Sequence, residues 1–290
     1  MDYVYCLWWV HDVENKQKGA EPSGQTMHMQ RFLEKKMKYI ASCSFGKDSI
    51  ATVLLAREHN EPLDEIVYCE VMFDENISGE LPEHRDFIYN VAIPKFEEWG
   101  YKVTVLRSKN TYVDLFNRIV KRSSVESRNG KLRGFPMGKG CHMNSNAKVR
   151  PIRQYWKSQN KDTMQYIGIA IDEPNRLDRV VKSTNQMSLL QKYGYTEEMA
   201  RQKCIEYGLL SPVYKITKRN GCWFCPNMRD SEIRHIRYNH NELWQRLIDL
   251  SKKDLANPYF NCFEKTTVNE IEEKFRLEDA QMTIFDFIGE

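Results

Sequence analysis

Six residues, Ser44-Phe45-Gly46-Lys47-Asp48-Ser49, lie between a run that reads as a strand and a run that reads as a helix. No other feature restricts the fold as much. Lys38 to Cys43 is short and mostly apolar, as a strand is. Asp48 to Glu58 carries Ile50, Ala51, Val53, Leu54 and Leu55, the pattern of a buried helix, and Pro62 ends it. A strand that turns directly into a helix presents unpaired amides and the positive end of the helix dipole at one point, which suits an anion. Gly46 lets the backbone approach that anion without a Cβ. Lys47 adds a point charge, and Ser44 and Ser49 offer hydroxyls. Asp48 is suited to a magnesium-bound water or to capping the helix. The GxxxxGK[ST] spacing of a Walker A loop is absent. The plain alternative is an ordinary helix start.

The rest of the chain alternates. Glu65 to Phe73 reads as a second strand, Pro82 to Trp99 as a helix closed by Gly100, and Lys102 to Leu106 as a third strand. Thr111 to Lys121 reads as a third helix. A basic, Gly- and Ser-rich loop follows from Ser123 to Gly140. Asn146 to Lys157 reads as a helix in which Pro151 marks a kink or a late start, and Gln165 to Ile171 as a fourth strand. This alternation predicts an α/β fold with a parallel sheet and right-handed crossovers. Thr196 to Tyr207 and Asp230 to Ser251 read as two further helices with a cysteine-bearing turn between them. Four parts are expected: an N-terminal extension (1–36), a nucleotide-binding α/β domain (37–215), a cysteine-containing helical subdomain (216–263) and an acidic tail (264–290).

In such sheets a ligand lies beyond the carboxyl ends of the strands. That rule brings Asp74 and Asp172 to the rim as candidates for ribose hydroxyls or Mg2+, with simple turn-capping as the alternative. Arg176 and Arg179 follow the fourth strand, and their forked guanidinium groups suit phosphate or sulfate. From Arg107 to Lys157 there are 13 Lys/Arg against 2 Asp/Glu, although the whole chain carries only +3. Charge of that density fits a nucleotide or a nucleic acid such as DNA or tRNA, or else a solvated loop. No apolar run reaches the roughly 18 residues of a membrane helix. The start lacks a basic region and a cleavage site, so no signal peptide is read and a cytoplasmic location without membrane contact is expected.

Eight cysteines in a cytosolic chain of 290 residues point to metal or redox chemistry rather than to disulfides. Cys222 and Cys225 form a CxxC on a glycine-led turn, a spacing that lets two sulfurs hold one metal or one cluster. An iron–sulfur cluster, a zinc ion, a redox dithiol and two buried apolar residues all remain open. Cys6, Cys43, Cys69 and Cys204 read as packing residues. His142 reads as a ligand, a base or neither, and His235 and His240 carry no pattern of their own.

Five landmarks occur in order: SFGKDS (44–49), MFDEN (72–76), Cys141 followed by Lys148-Val149-Arg150-Pro151, GIAIDEPNRLDR (168–179) and GCWFCPN (221–227). The first resembles the PP-loop of N-type ATP pyrophosphatases. Together, over about 38–250, they resemble the phosphoadenosine phosphosulfate (PAPS) reductase family of the adenine-nucleotide α-hydrolase-like superfamily. The resemblance implies a Rossmann-like sheet with helices on both faces, a helical C-terminal part with a CxxC metal site, and an adenine nucleotide, ATP, with Mg2+. It implies Cys141 as the third ligand beside Cys222 and Cys225, with Cys262 as a possible fourth. Three cysteines would leave one iron of a [4Fe–4S] cluster open; four would close it or make a structural Zn2+ site. The catalytic candidates are Lys47, Asp48 and Cys141. The chain departs from true reductases, which carry a Glu-Cys-Gly-type motif near the C-terminus and usually lack the Lys-Asp pair in the loop. An intact GKDS looks more like relatives that split ATP to AMP and pyrophosphate, among them the sulfurtransferases of DNA phosphorothioation and tRNA thiolation. Sulfonucleotide reduction and a zinc-stapled, non-catalytic nucleotide-binding module are the alternatives, and sulfur transfer would also need a sulfur-donor protein.

The segment from Glu264 to Glu290 has 8 acids against 3 bases. Its Gln281 to Phe285 resembles the short peptide that docks bacterial proteins on the replication sliding clamp, in which a glutamine and two apolar residues fill a groove. A terminal element packing Ile284, Phe285 and Phe287 on the body is the alternative.

Overall fold

A computed structural model describes residues 37–137, 141–218, 221–261 and 264–288, with 282–288 as backbone only. The elements run β1 (Lys38–Ser42), α1 (Lys47–Glu58), β2 (Glu65–Glu70), α2 (Pro82–Phe87), α3 (Ile93–Glu98), β3 (Lys102–Arg107), α4 (Tyr112–Phe116) and α5 (Arg150–Ser158). They continue with β4 (Thr163–Ile167), α6 (Pro174–Val181), β5 (Gln186–Met187), α7 (Leu189–Lys192), α8 (Glu197–Glu206), α9 (Asp230–Asn239) and α10 (Asn241–Ser251). A short hairpin, β6 (Tyr259–Asn261) and β7 (Thr266–Thr267), leads into α11 (Val268–Ile288).

The first five strands form one parallel sheet in the order β3-β2-β1-β4-β5. The fold is therefore the expected α/β, Rossmann-like one. Strand order reverses between β1 and β4, so the crevice for a ligand opens beyond Ser42 and Ile167, which are paired in register. All six residues of β2 are buried, so both faces of the sheet are covered there. Eight successive residues of α1, Ser49 to Ala56, are buried too. A helix hidden all round sits between layers, and α1 packs on α7, α8 and the central strands.

A second apolar core lies under the cysteine-bearing turn. Phe73, Tyr112, Phe116, Phe135, Trp223 and Phe224 meet there with residues of α9 and α10. Val268, Ile271 and Phe275 of the acidic tail are buried in the same core. Gln281 to Phe285 continues that helix, and its side chains beyond Gln281 lie outside the described residues.

Several elements differ from expectation. β2 ends at Glu70 rather than Phe73, because Val71 to Gly79 turn back on themselves through Phe73 N–H to Ile77 O and Gly79 N–H to Val71 O. α4 stops at Phe116, and β4 at Ile167. β5 is only two residues long and escaped notice. Asp230 to Ser251 is two helices, since His240 leaves the helical region at φ −136°, ψ 54°. Pro151 marks the late start, since the α-helix begins at Arg150. Both Ile88–Ala92 and Asn144–Val149 are π turns, and each runs into a helix with a proline in its first turn, Pro94 and Pro151. Proline lacks an N–H and crowds the carbonyl a turn behind it, and a widened turn relieves both. The expected loop 123–140 is in part a hairpin: Val120 N–H donates to Lys131 O, and Arg133 N–H to Arg118 O.

Glu65, at the start of β2, has a buried carboxylate between Lys38 at 2.6 Å and Lys102 at 3.1 Å. Burial alone would raise its pKa, but Lys38, Thr104 and Lys102 outweigh burial and hold it at about 2. A depressed carboxylate contributes stability that is full above its unfolded pKa and fades as pH falls towards about 2. Acid unfolding between those limits should weaken in Glu65→Gln, which is less stable at neutral pH. Parallel pH–stability curves for the two chains would remove Glu65 from the acid response.

Candidate functional site

The chain leaves β1, turns at Phe45 and enters α1 at Gly46. Phe45 has φ +57°, a left-handed conformation that a bulky residue rarely adopts. Its ring is fully buried, 5.1 Å from Tyr68 and 5.9 Å from Phe96, and this packing holds the turn. Ser49 fastens the loop from within: its hydroxyl donates to Gly46 O at 2.9 Å and accepts from Ser44 N–H at 3.2 Å. Ser49 is buried, so its hydroxyl serves the loop's own shape.

Gly46 caps α1 with no side-chain bond. The Lys47 N–H donates to the Tyr214 hydroxyl at 2.8 Å, and its ammonium meets Asp48 at 2.9 Å and Glu197 at 2.6 Å. Burial lowers the Lys47 pKa, but Asp48 and Glu197 raise it further, so Lys47 is cationic. Asp48 is pushed up by burial, opposed by Lys47, and Glu197 and Glu173 push the same way as burial. Two carboxylates on one ammonium suit a phosphate only with a bound divalent cation to balance them.

Gly168, at the exit of β4, lies against this loop. A Cβ there would sit 2.7 Å from the backbone of Asp48 and Ser49. Beyond it, Asp172 accepts from Glu197 N–H at 3.1 Å and so holds the start of α8. Glu173 accepts from Ala170 N–H and pairs with Arg176. Arg176 and Arg179 are exposed on α6. Asp74 does not join the loop. Its carboxylate accepts from Asn76 and Ile77 N–H, and it lines a pocket with Val113, Arg246 and Lys253. β2 ends early, and Glu70 stands at the strand end, fully buried against Arg107 and Tyr89.

Cys141, Cys222 and Cys225 line one pocket of about 310 Å³ with Val71, Asn144 and Lys148. The Cys141 sulfur accepts from Asn144 N–H at 3.5 Å. The CxxC turn closes through Cys225 N–H to Cys222 O and is pinned to the 71–79 turn by two bonds from Trp223, to Gly79 O and Ser78 O. Gly79 must be glycine, since a Cβ would stand 2.7 Å from Val71 O. Burial first, then Glu80 and the neighbouring sulfurs, push the Cys222 thiol well up, and Lys148 opposes them. Burial likewise pushes Cys141 up. Cys262 and Cys6 lie outside the described residues.

The loop reaches the core under the cysteine pocket through Tyr214, which accepts from the Lys47 N–H and packs there with Cys141, Cys222 and Cys225. Buried His84 accepts or donates at 2.8 Å to Ser211. Burial lowers its pKa, and it also feels Glu80, the Ser44 backbone and Lys148. Ser44 belongs to the loop, and Glu80 and Lys148 both act on Cys222. His142 is elsewhere, held near pKa 4 by burial and by Arg133 and Arg118. Cys43, Cys69 and Cys204 are buried, with thiols pushed up by burial, as packing residues should be. Sequence reasoning missed Tyr214, Glu197 and His84, which reach the loop only through tertiary packing. Of the basic segment, Arg118, Lys121, Arg122, Arg150, Arg153 and Lys157 are exposed, whereas Arg107 pairs with Glu70 and Lys131 with Asp254. No helix among the described residues is long and apolar enough to cross a membrane.

No protein-family model and no curated protein sequence matches this chain. A solved structure similar to it is the U34-tRNA thiolase NcsA from Methanococcus maripaludis with its [4Fe-4S] cluster. The two are 14% identical, over 77% of this chain and 78% of that one, at a TM-score of 0.38. A likeness of that degree leaves the chemistry of this chain to its own residues.

Proposed function

We propose that this chain binds ATP with Mg2+ at Ser44–Ser49 and couples its cleavage to AMP and pyrophosphate with sulfur transfer onto a nucleic acid. The observation that carries this reading is that Tyr214, which accepts from the Lys47 N–H, packs on the same core as Cys141, Cys222 and Cys225. The amides at the start of α1 and the Lys47 ammonium would hold the phosphates. Asp48, with Glu197 and Glu173 near, would hold the cation. An oxygen of the nucleic acid displaces pyrophosphate from ATP to give an adenylated oxygen. Hydrosulfide-level sulfur, brought by a donor protein, then bonds to the atom that bore that oxygen, whose bond to the oxygen breaks as AMP leaves with the electron pair. The exposed arginines and lysines of 118–157 supply a surface for the polyanion.

The donor set of the pocket fits a [4Fe–4S] cluster on Cys141, Cys222 and Cys225. Burial raises the Cys141 and Cys222 thiols, and a bound metal would take the place of their protons. Held by three cysteines, such a cluster supplies an iron with an open coordination position.

Anaerobically purified protein should contain about four iron and four sulfide per chain. Cys222→Ser should bring iron below about one per chain. One zinc without iron in the wild type would overturn the cluster, and an unchanged iron content in the variant would remove Cys222 as a ligand. ATP-dependent pyrophosphate release, stimulated by DNA or tRNA, tests the nucleotide half separately.

A further inference from the structure

We propose that Glu83, His235 and His240 form a binding site for a divalent cation of the zinc type, separate from the cysteine pocket. Glu83 lies on α2, His235 on α9, and His240 where α9 ends and α10 begins. One carboxylate oxygen, Oε1, is 2.7 Å from Nε2 of His235 and 2.9 Å from Nε2 of His240. The rings stand 5.5 Å apart at 63°, so the two nitrogens converge on that oxygen from different directions. All three ligand atoms lie within 4.8 Å of one another, and all three residues are half-buried. The second oxygen, Oε2, is buried with no partner from another residue among those described.

Two imidazoles and a carboxylate are a donor set for zinc, with one position left to water. At zinc–nitrogen distances of about 2.0–2.1 Å, ligand atoms stand roughly 3.3 Å apart. The hydrogen-bonded cluster needs to open by only a few tenths of an ångström to admit the ion. Asn239 lies 3.2 Å from Nδ1 of His235, as a partner for the ring nitrogen that does not face the cation. The break at His240 serves this geometry, since an uninterrupted helix would carry that ring round to another face.

The site joins the two cores. Glu83 is on the helix whose Phe87 packs with α1 and β2, and His235 and His240 flank Ile236 and Leu243 of the second core. A bound cation would therefore brace α2 one residue from His84, which faces the phosphate loop. The inference does not depend on the cluster or on ATP.

The test uses the full chain after chelator treatment, titrated with Co2+ and then Zn2+. The expected result is one cobalt with weak visible bands that zinc displaces, additional to any thiolate charge transfer from the cysteine pocket. Glu83→Gln and His240→Ala should each lose that cobalt and weaken zinc binding by at least about 100-fold, since even an outer-shell partner is worth 10–100-fold. Glu83→Gln keeps the size and the accepting oxygen, so its thermal unfolding should remain cooperative. Zinc should raise the melting temperature of the wild type and not of the variants. Equal binding of the same ion by wild type and Glu83→Gln, or cobalt bands of thiolate character only, would overturn the proposal and leave a hydrogen-bonded cluster.

Discussion

Lys47→Ala is expected to lower pyrophosphate release from ATP by roughly two to three orders of magnitude, the usual cost of removing one preorganised group that meets developing charge. The Lys47 ammonium is mostly shielded and sits between Asp48 and Glu197 at the mouth of α1. Without it the carboxylates of Asp48 and Glu197 lose the cation between them, so binding suffers as well as turnover. Stability should change little. Glu197 is about half exposed, and an ion pair with such a partner contributes on the order of 1 kcal/mol or less. The Lys47 amide bond to Tyr214 is made by the backbone and survives the substitution. Pyrophosphate release and thermal unfolding are therefore to be measured on the same sample. Normal release from a folded Lys47→Ala protein would remove the assignment of this loop to nucleotide phosphates.

The β1–loop–α1 unit was legible because its determinants are local. An apolar run, a glycine and a continuous apolar helix follow one another within a few residues, and the alternation after them predicts a parallel sheet. Strand ends were less legible. Val71 to Phe73 are as apolar as β2 itself, yet Val71 and Phe73 pack in the second core, and Asp74 bonds to Asn76 and Ile77 of the 71–79 turn. The break at His240 has no Gly or Pro to announce it. The π turns before Pro94 and Pro151 follow from proline chemistry, but the sequence does not say whether a helix will kink or widen. The contacts of Tyr214 and Glu197 with Lys47 span 167 and 150 residues, and those of Glu83 with His235 and His240 span 152 and 157. Pairings at that range are made by packing and leave no spacing to read. The grouping of Cys141 with Cys222 and Cys225 in one pocket came from the resemblance, because nothing in an 81-residue gap between Cys141 and Cys222 points to it.

Gly168 offers the sharpest test of how the fold shapes the loop. β4 ends one residue before it, at the point where strand order reverses, and its Cα faces the first turn of α1. An alanine Cβ would stand 2.7 Å from Asp48 C, Asp48 O and Ser49 N, all of them backbone atoms that no rotamer change can move away. Either β4 or the start of α1 must shift by about 0.5 Å or more to restore ordinary contact. Overpacking of this kind costs about 1–3 kcal/mol. The displaced atoms are those that present the helix amides and the Asp48 side chain, so ATP affinity should fall by roughly 100-fold, as expected for misplacement on this scale. Gly194→Ala separates the two effects. Gly194 has φ +72° with nothing within 4 Å of its missing Cβ, so alanine there strains the backbone and touches nothing at the loop. It should lose about 1 kcal/mol and keep its nucleotide affinity. If Gly168→Ala melts lower yet binds ATP as tightly as Gly194→Ala does, the contact between β4 and α1 supports the fold alone, and the nucleotide must be sought away from the crevice between β1 and β4.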